Sequence, residues 1–171
     1  MPSGSISKTF FGTLTALTME EEFGNILSSK IGPLLSEAGK TWDFVSIENA
    51  LDMSTGHYRF TGHGIDERTV SNVFNLAETH STKILTALNS FRRRTTPGRR
   101  WIYHSTDTYI VGVALRMLLQ KWTQNDDLVN YMNTKVFGPL QLSQMAQHSI
   151  RVTYDDYKQP YTTTGMFLTR K

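Results

Sequence analysis

The sequence contains no cysteine, which excludes a disulfide framework, a cysteine-based zinc site and a thiol nucleophile. It also has no long apolar run. The longest, residues 109–115, ends at Arg116 and is far shorter than the roughly 20 residues of a membrane-spanning helix, so no membrane span is predicted. No basic stretch followed by an apolar one opens the chain, so no signal peptide is visible. The sequence therefore indicates no compartment.

The composition is that of an ordinary globular domain. The 171 residues are 39% hydrophobic and 19% charged, which is enough apolar material for one domain with a sizeable core. The formal net charge is only +3. Five arginines cluster between positions 92 and 100, and such a cluster can bind phosphate or nucleic acid. Because no aromatic-rich RNA-binding signature accompanies it, a solvated turn is favoured and no nucleic-acid partner is predicted.

The hydrophobic pattern predicts a mainly helical chain. Apolar spacing and capping residues predict helices over residues 5–22, 46–53, 70–91, 107–121 and 126–137. The fourth of these segments is apolar on most sides and is predicted to be buried. Strand candidates are few, and none pairs convincingly into a sheet. The pattern alone therefore predicts an all-α domain without indicating its purpose.

One short motif near the N-terminus could carry chemistry. Ser5 and Lys8 are three residues apart in Gly-Ser-Ile-Ser-Lys-Thr-Phe, residues 4–10, so a helix that begins at Ser5 presents both on one face. A serine hydroxyl is a poor nucleophile until a base removes its proton, and a suitably placed lysine can be that base. The free amides at a helix start also favour a developing oxyanion. The spacing alone is weak evidence.

The residues around this motif are more informative. Residues 4–10 closely resemble the nucleophile segment of the class C β-lactamases and the related penicillin-binding proteins and esterases, the Ser-x-x-Lys family. Further landmarks follow in the order in which the family carries them, at residues 47–56, 97–98, 103–112, 131–140 and 164–169. The resemblance therefore covers nearly the whole chain.

The resemblance implies catalytic roles for three residues. Ser5 matches the acylated nucleophile and Lys8 its partner base, while Tyr103 matches the tyrosine whose phenol exchanges a proton with the nucleophile or the leaving group. From the residue alone, Tyr103 is better interpreted as a buried aromatic with a satisfied hydroxyl. The order of the landmarks favours the catalytic role instead.

Two further residues are expected to contact substrate. Ser105 occupies the third position of the tyrosine motif, where the β-lactamases carry Asn, and a hydroxyl lacks the reach of an amide. This difference shifts the expected substrate toward the esterase, amidase or nylon-oligomer-hydrolase branch. His57 lies in a loop that the resemblance puts near the mouth of the site. No carboxylate stands at ligand spacing from His57 and His63, so no metal is predicted, and no cofactor is implied.

The fold implied by the resemblance is the helical domain of the β-lactamase/transpeptidase-like α/β fold, with most of the antiparallel sheet missing. The family's third motif, Lys/His-x-Gly on a core strand, and the strands that precede the nucleophile helix are not found in residues 1–171. We therefore expect residues 1–171 to form a single helical region of an incomplete serine hydrolase. One oxyanion donor would then be absent, and the chain alone is expected to be inactive.

The function implied is that of a serine hydrolase acting on a small-molecule ester or amide, with β-lactams and D-amino-acid peptides included, through an acyl-enzyme on Ser5. The alternative is a non-catalytic fragment or pseudoenzyme that keeps the same fold as a scaffold or binding domain. Covalent labelling of Ser5 by an activated ester or a fluorophosphonate distinguishes the two. The sequence does not indicate the oligomeric state.

Overall fold

A computed structural model describes residues 4–148 and 159–164 of the chain. Seven α-helices follow one another in this part. They are α1 (Leu14–Phe23), α2 (Ile47–Leu51), α3 (Ile65–Leu76), α4 (His80–Asn89), α5 (Ser105–Thr123), α6 (Leu128–Met132) and α7 (Gln144–Gln147). A π-helical turn, Lys8–Thr13, leads into α1, and a second one, Asn133–Phe137, follows α6. Short 3₁₀ turns occupy Gly32–Leu34 and Lys40–Trp42.

Helix α5 is the centre of the fold. It contacts α2, α3, α4, α6 and the first π-helical turn, and most of its side chains from Thr106 to Leu119 are buried. This matches the prediction from its apolar sequence, since a helix that is hydrophobic on all sides must be covered by other elements. The active-site candidates lie at the N-terminal end of this helix and on the turn that packs beside it.

The first π-helical turn sits close against α5. A Cβ atom added at Gly12 would lie 3.0 Å from the Thr108 side chain, so the glycine permits the two backbones to approach. Phe11 is almost fully buried, and its ring centroid lies 6.3 Å from that of Phe137. The N-terminal helix is thus held against the core through Phe11. The apolar spacing of residues 5–22 also predicted a buried position for Phe10 and Leu17, and this part of the prediction is wrong, because both side chains are exposed.

Residues 70–91 were predicted to form one helix, and this prediction is wrong. The structure has two helices, α3 and α4, separated between Leu76 and His80. The Thr79 hydroxyl accepts a hydrogen bond from the Thr82 amide at 3.1 Å and so caps the start of α4. Lys83 Nζ donates to the Phe74 carbonyl at 2.7 Å and to the Asn75 carbonyl at 3.3 Å, which satisfies the end of α3.

The described residues contain no β-strand, although isolated antiparallel bridges join Lys30 to Ser46 and His57 to Arg93. The prediction of a mainly helical fold is therefore confirmed. The helix predicted over residues 46–53 is also present as α2, and Ser46 caps its start in a capping box with Asn49. None of the helices seen in residues 4–148 and 159–164 has the length and apolarity needed to cross a membrane.

Candidate active site

Ser5, Lys8 and Tyr103 meet in the structure. The Ser5 Oγ atom lies 2.5 Å from the Tyr103 hydroxyl oxygen, and Lys8 Nζ donates to Ser5 Oγ at 3.3 Å. The same ammonium lies 5.3 Å from the centroid of the Tyr103 ring. A serine hydroxyl is thus in hydrogen-bond contact with two groups that could accept or return its proton.

Two separate parts of the chain supply these groups. Ser5 and Lys8 lie at the start of the N-terminal helical segment, where the Lys8 amide bonds the Ser5 carbonyl at 3.0 Å, so local helical geometry alone brings them together. Tyr103 comes from the non-helical residues just before α5. Because α5 packs against the first π-helical turn, tertiary packing places Tyr103 next to Ser5.

Lys8 is held from a third direction, by the segment of residues 159–164. Lys8 Nζ donates to the Thr163 carbonyl at 3.0 Å, and the lysine side chain is only 8% exposed. The segment packs on α5, where the Thr162 hydroxyl donates to the Thr108 carbonyl at 2.8 Å. This contact fixes the ammonium beside Ser5. Sequence reasoning missed Thr163, because its role is played by a backbone carbonyl that no side-chain motif encodes.

The pKa of Tyr103 is lowered from its ordinary value. Burial by itself would raise it, but the hydrogen bonds with Ser5 and Lys8 and the positive charge of Lys8 outweigh the burial. A hydrogen bond with the Ser105 side chain acts in the same direction. The phenol is therefore a better proton donor than a free tyrosine, and its ionised form is stabilised beside the serine.

A cavity of about 650 Å³ opens over this cluster. Ser5, Lys8 and Tyr103 line it, and Leu51, Met53 and Trp101 contribute apolar surface. Trp101 is 53% exposed and stacks on His63, with ring centroids 5.7 Å apart. The cavity has the size of a small-molecule site. The sequence had indicated neither the tryptophan nor the apolar wall.

Ser105 lies next to the cluster and is engaged by a carboxylate. Its amide donates to Glu67 Oε2 at 2.8 Å and its hydroxyl donates to Glu67 Oε1 at 2.5 Å. Glu67 belongs to the first turn of α3. Sequence reasoning did not find Glu67, since nothing near Ser105 in the chain points to it.

The structure does not bring His57 to this cavity. The ring is only 3% exposed and stacks face to face on Trp42, with centroids 4.3 Å apart. Burial lowers the pKa of His57 to about 4, so the ring is neutral at physiological pH. Neither ring nitrogen has a hydrogen-bond partner among the described residues. The position is that of a core side chain beside the site and not of a group facing a ligand in this cavity.

No cluster of three or more histidine, aspartate or glutamate side chains suited to a metal ion occurs in residues 4–148 and 159–164. The chemistry that Ser5, Lys8 and Tyr103 can support on their own is proton transfer and covalent catalysis at Ser5.

Comparison with known proteins agrees with the geometry of the site. A family model described as β-lactamase matches residues 1–163. No protein of curated function matches the sequence.

Two solved structures are similar to this one. The first is a putative 6-aminohexanoate-dimer hydrolase from Bacillus anthracis, with a TM-score of 0.62 and 16% identity, covering 96% of this chain and 43% of that one. The second is a D-stereospecific amidohydrolase from Streptomyces sp., with a TM-score of 0.56 and 22% identity, covering 83% of this chain and 42% of that one. The chain thus shares their fold and spans less than half of either protein.

Proposed function

The chain belongs to the β-lactamase family, and we propose that it carries the nucleophile of a serine hydrolase that acts on a small-molecule ester or amide. The observation that supports this most directly is the contact of Ser5 Oγ with the Tyr103 hydroxyl at 2.5 Å, with Lys8 Nζ 3.3 Å from the same serine oxygen. In this proposal Ser5 is the nucleophile, and Lys8 and Tyr103 together are its base.

The base would work as a pair that shares protons. A cationic Lys8 beside a neutral Tyr103 cannot accept a proton. When this pair has lost one proton, either Lys8 is a free amine or Tyr103 is a phenolate. Such a pair can accept the Ser5 proton as Ser5 Oγ bonds to the substrate carbonyl carbon. The lowered pKa of Tyr103 favours this state. Burial acts to raise that pKa, but the hydrogen bonds with Ser5 and Lys8 and the charge of Lys8 outweigh it.

The same proton would then leave with the product. When the tetrahedral intermediate collapses, the bond from the carbonyl carbon to the leaving oxygen or nitrogen breaks, and the pair returns the proton to that atom. Hydrolysis of the acyl-enzyme repeats the steps with water as nucleophile, and the proton taken from water returns to Ser5. One proton is thus taken and given back in each half-reaction.

The start of the N-terminal helical segment would assist at the carbonyl oxygen. Its first backbone hydrogen bonds run from Ser7 to Gly4 and from Lys8 to Ser5, so the Ser5 amide precedes them. An amide at the start of a helix is an available donor for a developing oxyanion.

The proposed substrate class is an amide or an ester, with the amide supported by the comparisons. One similar structure is named a D-stereospecific amidohydrolase, and the other is named a hydrolase of a 6-aminohexanoate dimer. Ser105 stands where the β-lactamases carry Asn, which argues for substrates other than β-lactams. The apolar wall of Leu51, Met53 and Trp101 suits an acyl group with hydrocarbon character.

Covalent labelling tests the proposal. The chain, in a protein that also contains the sheet of the family, is incubated with a fluorophosphonate or an activated ester, and the adduct is located by mass spectrometry of its peptides. We expect one adduct, on Ser5, that Ser5→Ala abolishes. Ser28→Ala, which removes an exposed serine elsewhere on the surface, should retain it. A folded protein that contains the sheet and gives no adduct on Ser5 would instead support the alternative of a non-catalytic scaffold or binding domain with this fold.

A further inference from the structure

Two consecutive carboxylates in the first turn of α3, Asp66 and Glu67, contact the residues that follow Tyr103. Asp66 lies 3.4 Å from His104 Nε2, and Glu67 accepts both the amide and the hydroxyl of Ser105. The residues on the C-terminal side of the tyrosine are therefore held by one turn of a different helix. Nothing in the resemblance to known enzymes assigned a role to either carboxylate.

Asp66 holds the first turn of α3 in place beside the residues that follow Tyr103. It is 1% exposed, and its two oxygens accept the amides of Arg59 and Phe60 at 2.7 and 2.8 Å. A buried carboxylate is costly unless it is hydrogen-bonded in this way. The first turn of α3 is thus fastened to the loop before it, so the neighbouring Glu67 is presented from a fixed support.

His104 adds a second fixed point between the helices. Its ring stacks on Phe91 with centroids 4.2 Å apart, and its Nδ1 lies 3.5 Å from Asp107 Oδ2. Burial acts to lower the pKa of His104, but Asp107 and Asp66 outweigh it, so that pKa is raised. A ring that stacks on Phe91 and faces the side chains of Asp66 and Asp107 cannot turn freely, and the adjacent residue in the chain is Tyr103.

Glu67 supplies a side-chain acceptor for the first amides of α5. The residue at the N-cap position, His104, makes no capping hydrogen bond with its side chain, although the first amides of a helix need acceptors. Glu67 accepts the Ser105 amide from outside the helix. The glutamate therefore fixes the backbone two residues after the Tyr103 side chain that must reach Ser5.

On the other side of Tyr103, the Ile102 amide donates to the Met53 carbonyl at 2.9 Å. Tyr103 thus lies in an extended stretch anchored at both ends, by Met53 before it and by Glu67 after it. The 2.5 Å contact with Ser5 tolerates little displacement, because a misplacement of about 1 Å can lower a rate by about 10²-fold.

We propose that Glu67 is a positioning residue that sets the Tyr103 hydroxyl against Ser5. The inference rests on the proposed function, since it concerns the placement of that function's proton-transfer group. Glu67 does not line the cavity over Ser5, and it acts on the reaction only through the segment that carries the tyrosine.

The alternative is that Glu67 only stabilises the fold by capping α5. The two roles differ in their dependence on the tyrosine. A positioning residue loses its effect on the reaction when the group that it positions is removed, whereas a general loss of structure lowers the rate in either background. A double-mutant cycle with Tyr103 measures this difference.

The test compares four full-length proteins: the parent, Glu67→Gln, Tyr103→Phe and the double variant. Glutamine keeps the size of the side chain, but it has a single acceptor oxygen where Ser105 now uses two. We expect Glu67→Gln to lower the rate of Ser5 acylation by an activated ester by about 10²-fold in the parent and to change it little in Tyr103→Phe. Glu37→Gln is the matched control, since Glu37 also accepts a serine hydroxyl, from Ser36 at 3.0 Å, far from the site.

A second measurement does not require turnover. Titration of the Tyr103 phenol, assigned by its loss in Tyr103→Phe, should move to higher pH in Glu67→Gln, because the phenol loses its contacts with Ser5 and Lys8 and remains partly buried. Equal losses of acylation rate in both backgrounds, or an unchanged titration of Tyr103 in Glu67→Gln, would overturn the inference. A parent protein that is never acylated at Ser5 contradicts the proposed function alone, and the titration still decides the role of Glu67.

Discussion

Two lysines of this protein have closely similar surroundings, and only one of them has a role in the proposed reaction. Lys8 and Lys83 are both buried, at 8% and 6% exposure. Each lies over a tyrosine ring, Lys8 at 5.3 Å from the centroid of Tyr103 and Lys83 at 5.1 Å from that of Tyr161. Each also donates to a backbone carbonyl outside its own helical segment, that of Thr163 for Lys8 and that of Phe74 for Lys83. Burial, an aromatic neighbour and a carbonyl acceptor are therefore shared by the lysine that we propose as part of the base and by the lysine that caps a helix.

The difference lies in what else each ammonium reaches. Lys83 uses its remaining donor capacity on a second carbonyl, that of Asn75 at 3.3 Å, and so closes the end of α3. Lys8 has a serine hydroxyl in that place, Ser5 Oγ at 3.3 Å, and the serine opens on a cavity. In the proposed function, a hydroxyl in place of one carbonyl, within reach of a ligand, is what makes the surroundings of Lys8 reactive and those of Lys83 structural.

The largest expected effect tests this comparison directly. Lys8→Met should lower the rate of Ser5 acylation by an activated ester by about 10³-fold, which is the size of a general acid–base contribution. Lys83→Met should change that rate little, although it removes an equally buried ammonium. The rates are measured by intact-protein mass spectrometry over time, with circular dichroism as a check of folding. Similar losses in the two variants would show that buried charge, and not the contact with Ser5, controls the reaction.

A smaller effect is expected from disturbing the carbonyl that holds Lys8. A Cβ atom at Gly112 would lie 2.6 Å from Thr162 Cγ2 and 2.8 Å from its hydroxyl oxygen, so Gly112→Ala should push residues 159–164 away from α5. The Thr163 carbonyl would move with them and leave Lys8 less firmly placed. We expect acylation of Ser5 to fall by about tenfold and overpacking to cost roughly 1–3 kcal/mol of unfolding free energy.

Gly39→Ala is the control for that substitution, because a Cβ atom there meets nothing within 4 Å. It should leave both acylation and unfolding unchanged. An unaltered acylation rate in Gly112→Ala, with the unfolding free energy reduced, would mean that the contact between Lys8 and Thr163 serves stability alone.

The parts of the fold and site that sequence could predict are those set by short-range rules. Ser5 and Lys8 face each other because helical residues three apart are neighbours, and the cap at Ser46 follows from its own side chain. The buried character of α5 was visible in its apolar sequence. The resemblance to the β-lactamase family added Tyr103, 98 residues from Ser5, which no local rule could join to it.

The parts that sequence could not predict depend on long-range packing of ordinary residues. The carbonyl of Thr163 is 155 residues from Lys8, and a backbone acceptor leaves no signature in a side-chain pattern. The break between α3 and α4 falls in a segment whose apolar spacing continues across it, and Thr79 was the one local sign of a new helix. His57 was expected to contact substrate, and stacking on Trp42 instead gives it a buried position that its loop sequence did not reveal.

The smallest expected effect concerns the other lysine and its response to pH. Burial lowers the pKa of Lys83 in the folded chain, whereas in the unfolded chain it titrates near about 10.4. Between these two pKa values the unfolded chain binds more protons than the folded one, so the unfolding free energy attributable to Lys83 should increase as the pH rises through this window. Denaturant unfolding of the parent and of Lys83→Met, from neutral to alkaline pH, isolates that increase as the difference between the two proteins.

Lys121→Met, which removes an exposed lysine, controls for the change in net charge and should keep the parent's slope. A difference between the parent and Lys83→Met that stays constant with pH would mean that the folded environment of Lys83 accommodates its charge as well as water does, and the two buried lysines would then be alike in their electrostatics as well as in their surroundings.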